Sequence, residues 1–133
     1  ETIKIVDREI GKERKKYSAK PATFVEPKEV RVPLVEKRMT VGKSIFSIGI
    51  KDCDIPEDPI ERTKKSAGMN ILLHLMFSEA GEFYLELLEK GIITPGFDSG
   101  YSSSARTAYV MISGESDDPR LLLEKIKEHM KKR

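Results

Sequence analysis

Two histidines, one cysteine, a run of serines and two acidic clusters are the residues of this 133-residue chain whose types could carry chemistry. His74 stands in Leu72-Leu73-His74-Leu75-Met76, inside the longest stretch that reads as an apolar helix. A zinc site there would recruit Glu79, but residues five apart do not share one helical face. The helical pattern also ends between them, so His74 reads as a structural or boundary histidine. His129 lies among charged residues of the last predicted helix and reads as solvated. Neither H-E-x-x-H nor H-x-x-E-H occurs. A catalytic zinc site made from this chain alone is therefore not expected, and no metal ligand is assigned.

Cys53 stands between Asp52 and Asp54. Neighbouring negative charge disfavours the thiolate, which argues against a nucleophilic role and for a plain loop cysteine. Ser102-Ser103-Ser104 lacks the G-x-S-x-G elbow and reads as a polar strand connection. The glycines of Thr94-Pro95-Gly96 and Ser113-Gly114 are not followed by Gly-Lys-Ser/Thr, so neither forms a phosphate loop. The acidic clusters at Asp52 to Asp58 and Glu115 to Asp118 do not have calcium-loop spacing and read as solvated loops. Basic residues gather at Lys12 to Lys20 and Lys125 to Arg133, with few aromatics between them. Without base-stacking platforms, nucleic acid is not an expected partner.

These residues must be positioned by a fold of modest size. The length suits one domain, 1–133, with room for a real core. Apolar residues make up 38% and charged ones 35%, and no apolar run approaches the roughly 20 residues of a bilayer span, so no membrane partner is expected. A net charge of +2 argues for no particular polyanion. A single cysteine excludes an internal disulfide framework and suits a reducing compartment, so the expected location is cytoplasmic. The absence of Gln and Trp, beside abundant Lys and Glu, suits a heat-adapted source.

Along the chain, Ile3, Val6 and Ile10 recur at helical spacing before Gly11. Val30, Val32 and Leu34 alternate with other residues like an edge strand interrupted by Pro33. Phe46, Ile48 and Ile50 predict a second strand, and Lys51 to Pro59 a loop. A long helix follows from Ile60 to Phe77, with Ile60, Ala67, Ile71, Leu72, Leu75 and Met76 as its inward stripe. Glu82 to Glu89 predicts a second helix, with Phe83, Tyr84, Leu87 and Leu88 inward and Gly91 as its cap. Phe97 to Ser103 and Thr107 to Ser113 predict two more strands. Asp117 or Asp118 caps a last helix that starts at Pro119 and buries Leu122, Leu123, Ile126 and Met130. Two antiparallel strand pairs with helices on one face of a single sheet make an α+β domain.

The run Phe46-Ser47-Ile48-Gly49-Ile50-Lys51, the helix ending Leu75-Met76-Phe77, and Glu89-Lys90-Gly91-Ile92-Ile93 then fall into a familiar series. Phe97, Tyr101 and Ser113-Gly114-Glu115-Ser116-Asp117-Asp118-Pro119 complete it. From Lys28 to Met130 the chain resembles one structural half of the pitrilysin (insulinase-like) zinc metallopeptidases. The nearest likeness is to the non-catalytic C-terminal half of the bacterial processing-peptidase-like branch. The resemblance implies the LuxS/mitochondrial-processing-peptidase-like metallohydrolase fold, an antiparallel sheet with helices on one face. It also implies that a first strand is missing ahead of Glu1.

In that family two related halves enclose a peptide, and the inverted zinc motif belongs to the N-terminal half. An R-x6-Y pattern in the C-terminal half would fall near Glu89 and near Gly96 or Phe97, where neither residue is of the required type. Arg106 and Tyr109 lie on the next strand at the wrong spacing and are no substitutes. No catalytic residue is therefore carried over, and Glu89, Phe97 and Tyr101 are the substrate-contact candidates that the resemblance implies. Its further implications are a peptide substrate, the N-terminal half of the same protein as partner, a possible homo- or heterodimer, and zinc only in that other half. The motif H-x-x-E-H is expected about 150–250 residues upstream in the parent frame, from ordinary domain size. This fragment alone would be inactive. The competing expectation is a non-enzymatic peptide- or protein-binding module related to the peptidase fold.

Overall fold

The computed structural model describes residues 3–5 and 27–131. Residues 3–5 are helical, and the rest of the first expected helix, with the basic run at Lys12 to Lys20, lies outside the described residues. Strand β1 (Ile45–Asp52) is followed by α1 (Pro59–Phe77), α2 (Glu82–Glu89), β2 (Asp98–Ser103), β3 (Ala108–Glu115) and α3 (Pro119–Lys131). The sheet has the order β1-β3-β2, antiparallel throughout. Four expected strands are thus three among the described residues. Val30, Val32 and Leu34 form no strand and stand 55%, 57% and 64% exposed. The expected loop at Lys51 begins later, because the ladder with β3 carries β1 to Asp52.

Local chemistry sets the helix ends. Asp58 accepts hydrogen bonds from the Ile60 and Glu61 amides, each at 3.3 Å, with Pro59 in the first turn where its missing N–H costs nothing. Asp118 caps α3 through the Leu121 amide at 3.0 Å. Each such cap contributes about 1 kcal/mol. Helix α2 closes through Gly91, whose φ of +67° favours a residue without Cβ, and the Ile92 amide then reaches the Leu87 carbonyl at 2.9 Å.

One face of the sheet carries Phe46, Tyr101, Val110 and Ile112, all buried, and the helices cover it with Leu73, Met76, Phe77, Tyr84, Leu87, Leu122 and Ile126. Fully burying each aliphatic side chain is worth about 1.5–3 kcal/mol. Helices on one face of an antiparallel sheet are the α+β arrangement that the patterning implied. The inward side of α1 is a correction. Its buried residues are Leu73, Met76 and Phe77, whereas Ile60, Ile71, Leu72 and Leu75 are exposed. The C-terminal half of this helix is apolar all round, so periodicity alone could not choose its face. On α3, Leu122 and Ile126 are buried and Leu123 partly so, but Met130 in the last turn is 38% exposed. No helix among the described residues is long and apolar enough to cross a membrane.

Candidate functional site

Polar side chains with the most specific partnership meet at one corner of the sheet, where the end of β1, the middle of β2 and the first half of α1 converge. Asp52 and Tyr101 share the helix side of the sheet, since Asp52 pairs with Ala108 and Tyr101 with Val110 on the same alternating face. The Tyr101 hydroxyl donates to Asp52 Oδ2 at 2.7 Å, and Lys65 Nζ of α1 lies 2.8 Å from the same oxygen. The Asp54 amide donates to Asp52 Oδ1 at 3.0 Å. Lys65 also bonds the Asp54 carbonyl, and its Nζ is 3.5 Å from Asp54 Oδ2.

Burial alone would raise the Asp52 pKa. The hydrogen bonds from Lys65, Tyr101 and the Asp54 amide, with the Lys65 charge, outweigh it and hold the carboxyl below its ordinary 3.8. Burial and the adjacent carboxylate push the Tyr101 phenol up, so it keeps its proton. Hydrogen bonding to Asp52 raises Lys65, which stays charged. A carboxylate with three donors, a phenol that holds its proton and a paired ammonium offer neither a free base nor a nucleophile. The cluster fastens three elements together.

The substrate-contact candidates are not gathered into one place by these contacts. Glu89 is exposed at the end of α2. Phe97 is buried among Phe46, Phe77 and Tyr84, with ring centroids 6.1–6.2 Å away. Tyr101 is buried and bonded to Asp52. Sequence reading missed Asp52 and Lys65 as partners of Tyr101, because no local spacing marks residues that the sheet brings together from three elements.

The histidines divide. His74 is exposed and borders a hollow of about 490 Å³ with Glu79 and Asp98. His129, expected in solvent, is half-buried: its ring stacks on Phe83 at 4.1 Å and 11°, and Nε2 is 3.1 Å from the Met76 carbonyl oxygen. That packing lies in a cleft of about 440 Å³ between α2 and α3. Cys53 is exposed in its loop. Among the described residues no three His, Cys, Asp or Glu side chains group as metal ligands, so the donor set of a catalytic zinc does not fit here.

With this geometry in hand, likeness to known proteins defines a class. No family description and no curated protein matches the chain. Among solved structures, it is similar to the crystal structure of a "putative M16-like peptidase from Alicyclobacillus acidocaldarius". The TM-score is 0.65 and the identity 26%, over 69% of this chain. The match spans 22% of the length of that protein. The chain is therefore an α+β unit with the architecture of part of an M16-like peptidase, as the sequence resemblance implied at the level of family.

Proposed function

We propose that this chain is the non-catalytic, substrate-enclosing half of a zinc-dependent peptidase whose zinc site lies on an N-terminal half. The observation that carries this reading is the likeness to an M16-like peptidase, with this chain matching about a fifth of that protein. The histidines support it, since His74 lies on α1 and His129 on α3, and neither stands in an H-x-x-E-H. A peptidase of this design divides its labour: one half holds the metal and activating carboxylate, and the other supplies a wall that keeps an extended peptide from water. The N-terminal half is then the partner and a peptide the substrate, in a protein that works in the cytoplasm. Glu89, Phe97 and Tyr101 remain the positions proposed to bear on the substrate, Phe97 and Tyr101 from within the wall rather than at its surface.

The test uses the chain alone and with its proposed partner. Equilibrium dialysis against zinc should leave the isolated chain without stoichiometric metal, and fluorogenic peptides should stay intact. Adding the polypeptide encoded upstream, carrying H-x-x-E-H, should give hydrolysis that a chelator abolishes. Stoichiometric zinc lost on His74→Ala would sink the proposal. An upstream half without zinc ligands, together with tight peptide binding by the isolated chain, would replace it with a non-enzymatic binding module.

A further inference from the structure

The irregular segment from Pro27 to Ser44 is fastened beside β1 at both ends. At one end Lys51 Nζ donates to the Pro27 and Glu29 carbonyls at 2.9 and 3.4 Å, and the Cys53 thiol is 3.8 Å from the Lys28 carbonyl oxygen. At the other end Glu36 pairs with Arg120 at 3.0 Å in the first turn of α3, and the Ser44 carbonyl accepts from the Ser116 amide at 3.0 Å. These ties bring Lys28 to the Asp52 end of β1 and Glu36 to its Ser44 end, so the segment runs antiparallel to the strand. A register with Lys28 opposite Asp52 and Glu36 opposite Ser44 satisfies these ties, and it would set Val30 opposite Ile50, Val32 opposite Ile48 and Leu34 opposite Phe46. All three apolar side chains would extend the core side of the sheet, where Ile48 is half-buried and Ile50 is 36% exposed.

The same register explains why no strand forms. The Ser116–Ser44 bond shows that Ser44, and with it Phe46, Ile48 and Ile50, turns its backbone groups toward β3. Ile45, Ser47 and Gly49 turn theirs away from β3, to the edge that pairs with no strand among the described residues. In that register Pro33 would fall opposite Ser47, and it has no N–H to give, its ring taking the place of the ladder hydrogen. Sliding the segment by one residue would free Pro33 of this conflict. It would also move Val30, Val32 and Leu34 to the other face and turn Arg31 toward the core.

The geometry points to a latent fourth strand: residues 29–35 form a strap matched in direction and side-chain pattern to the edge of β1 that no described strand pairs, and Pro33 holds it off. The proline thereby keeps residues 29–35 from completing a ladder along β1.

Amide exchange by NMR on the full chain tests this. In the parent chain the Ser47 and Gly49 amides should exchange freely. In Pro33→Val, the amides of Ile45, Ser47, Gly49, Arg31 and Val35 should slow at least about tenfold, while those of Phe46, Ile48 and Ile50 keep their rates. Pro33→Ala restores the same donor with less β preference, and should show the same pattern more weakly if Pro33→Val aggregates. Adding Val32→Lys to Pro33→Val should remove the protection, because a charge would then face the core side. Two results overturn the proposal: fast Ser47 and Gly49 amides in both single variants, or slow ones already in the parent chain.

Discussion

β2 and β1 each leave a row of backbone groups outside the sheet, and the two rows meet different surroundings. Along β2, α1 lies against the strand, and the Asn70 side chain accepts from the outward-pointing Tyr101 amide at 3.0 Å. The Asn70 side chain is itself held by donating to the Ser66 carbonyl at 3.0 Å. One residue does the work of a neighbouring strand at the point where it is needed, and the Asp52–Lys65–Tyr101 cluster fixes the helix that brings it there. Along β1, the covering among the described residues is a strap tied at its ends, with no ladder bond between them. Closing an edge thus takes more than proximity: a donor or acceptor must stand at the right parity along the strand. Asn70 supplies one for β2, and Pro33 withholds one from β1.

Substitutions in the shared strand should abolish the contrast altogether. Ile112 is fully buried in β3, between the two edges. Ile112→Ala should cost about 2–5 kcal/mol. Denaturant titration should show the β1 and β2 resonances lost in a single transition, and separate transitions would show the edges to be independent.

The corner cluster should matter less, and at a specific pH. Asp52→Ala removes an acceptor of charged and neutral hydrogen bonds and should cost about 1.5–3 kcal/mol near neutrality. Because the folded carboxyl titrates below 3.8, its contribution is present above the unfolded value and is lost as pH falls through the folded one. Stability curves of the parent and Asp52→Ala should therefore converge on acidification below about pH 4. A gap of constant size down to pH 2 would remove Asp52 from the explanation.

Asn70→Ala is the finest of these tests. It leaves the Tyr101 amide without its acceptor at a cost of about 1 kcal/mol. Exchange at Tyr101 should accelerate while Ser47 and Gly49 hold their rates. A matching change on the β1 side would show that the two edges are coupled rather than separately finished.

How much of this was legible in the sequence follows from the range of each interaction. Helix α2 has the bounds read from its apolar spacing, because Gly91 and the Phe83–Leu88 pattern act within a few residues. The Asp118 cap and Pro119 start of α3 are equally local. The inward face of α1 was not legible, since Leu72, Leu73, Leu75, Met76 and Phe77 satisfy several faces and only the packed sheet selects among them. Val30, Val32 and Leu34 carry a true strand pattern, yet pairing depends on which residue meets Ser47, and that is a property of register. The partnership of Asp52, Lys65 and Tyr101 needs β1, α1 and β2 assembled first. His129 looked solvated because its neighbours in sequence are charged, while its neighbours in space are Phe83 and Phe77.

The ring of His129, lying 4.1 Å from Phe83 and nearly parallel to it, sits within the ring current of that phenylalanine. Its carbon-bound protons should resonate well upfield of those of His74, which is exposed on α1. With only two imidazoles in the chain, the pair forms an internal signal and reference. Any ligand, partner or substitution that lifts α3 from α2 can be followed in the intact protein through one resolved proton line, without a label.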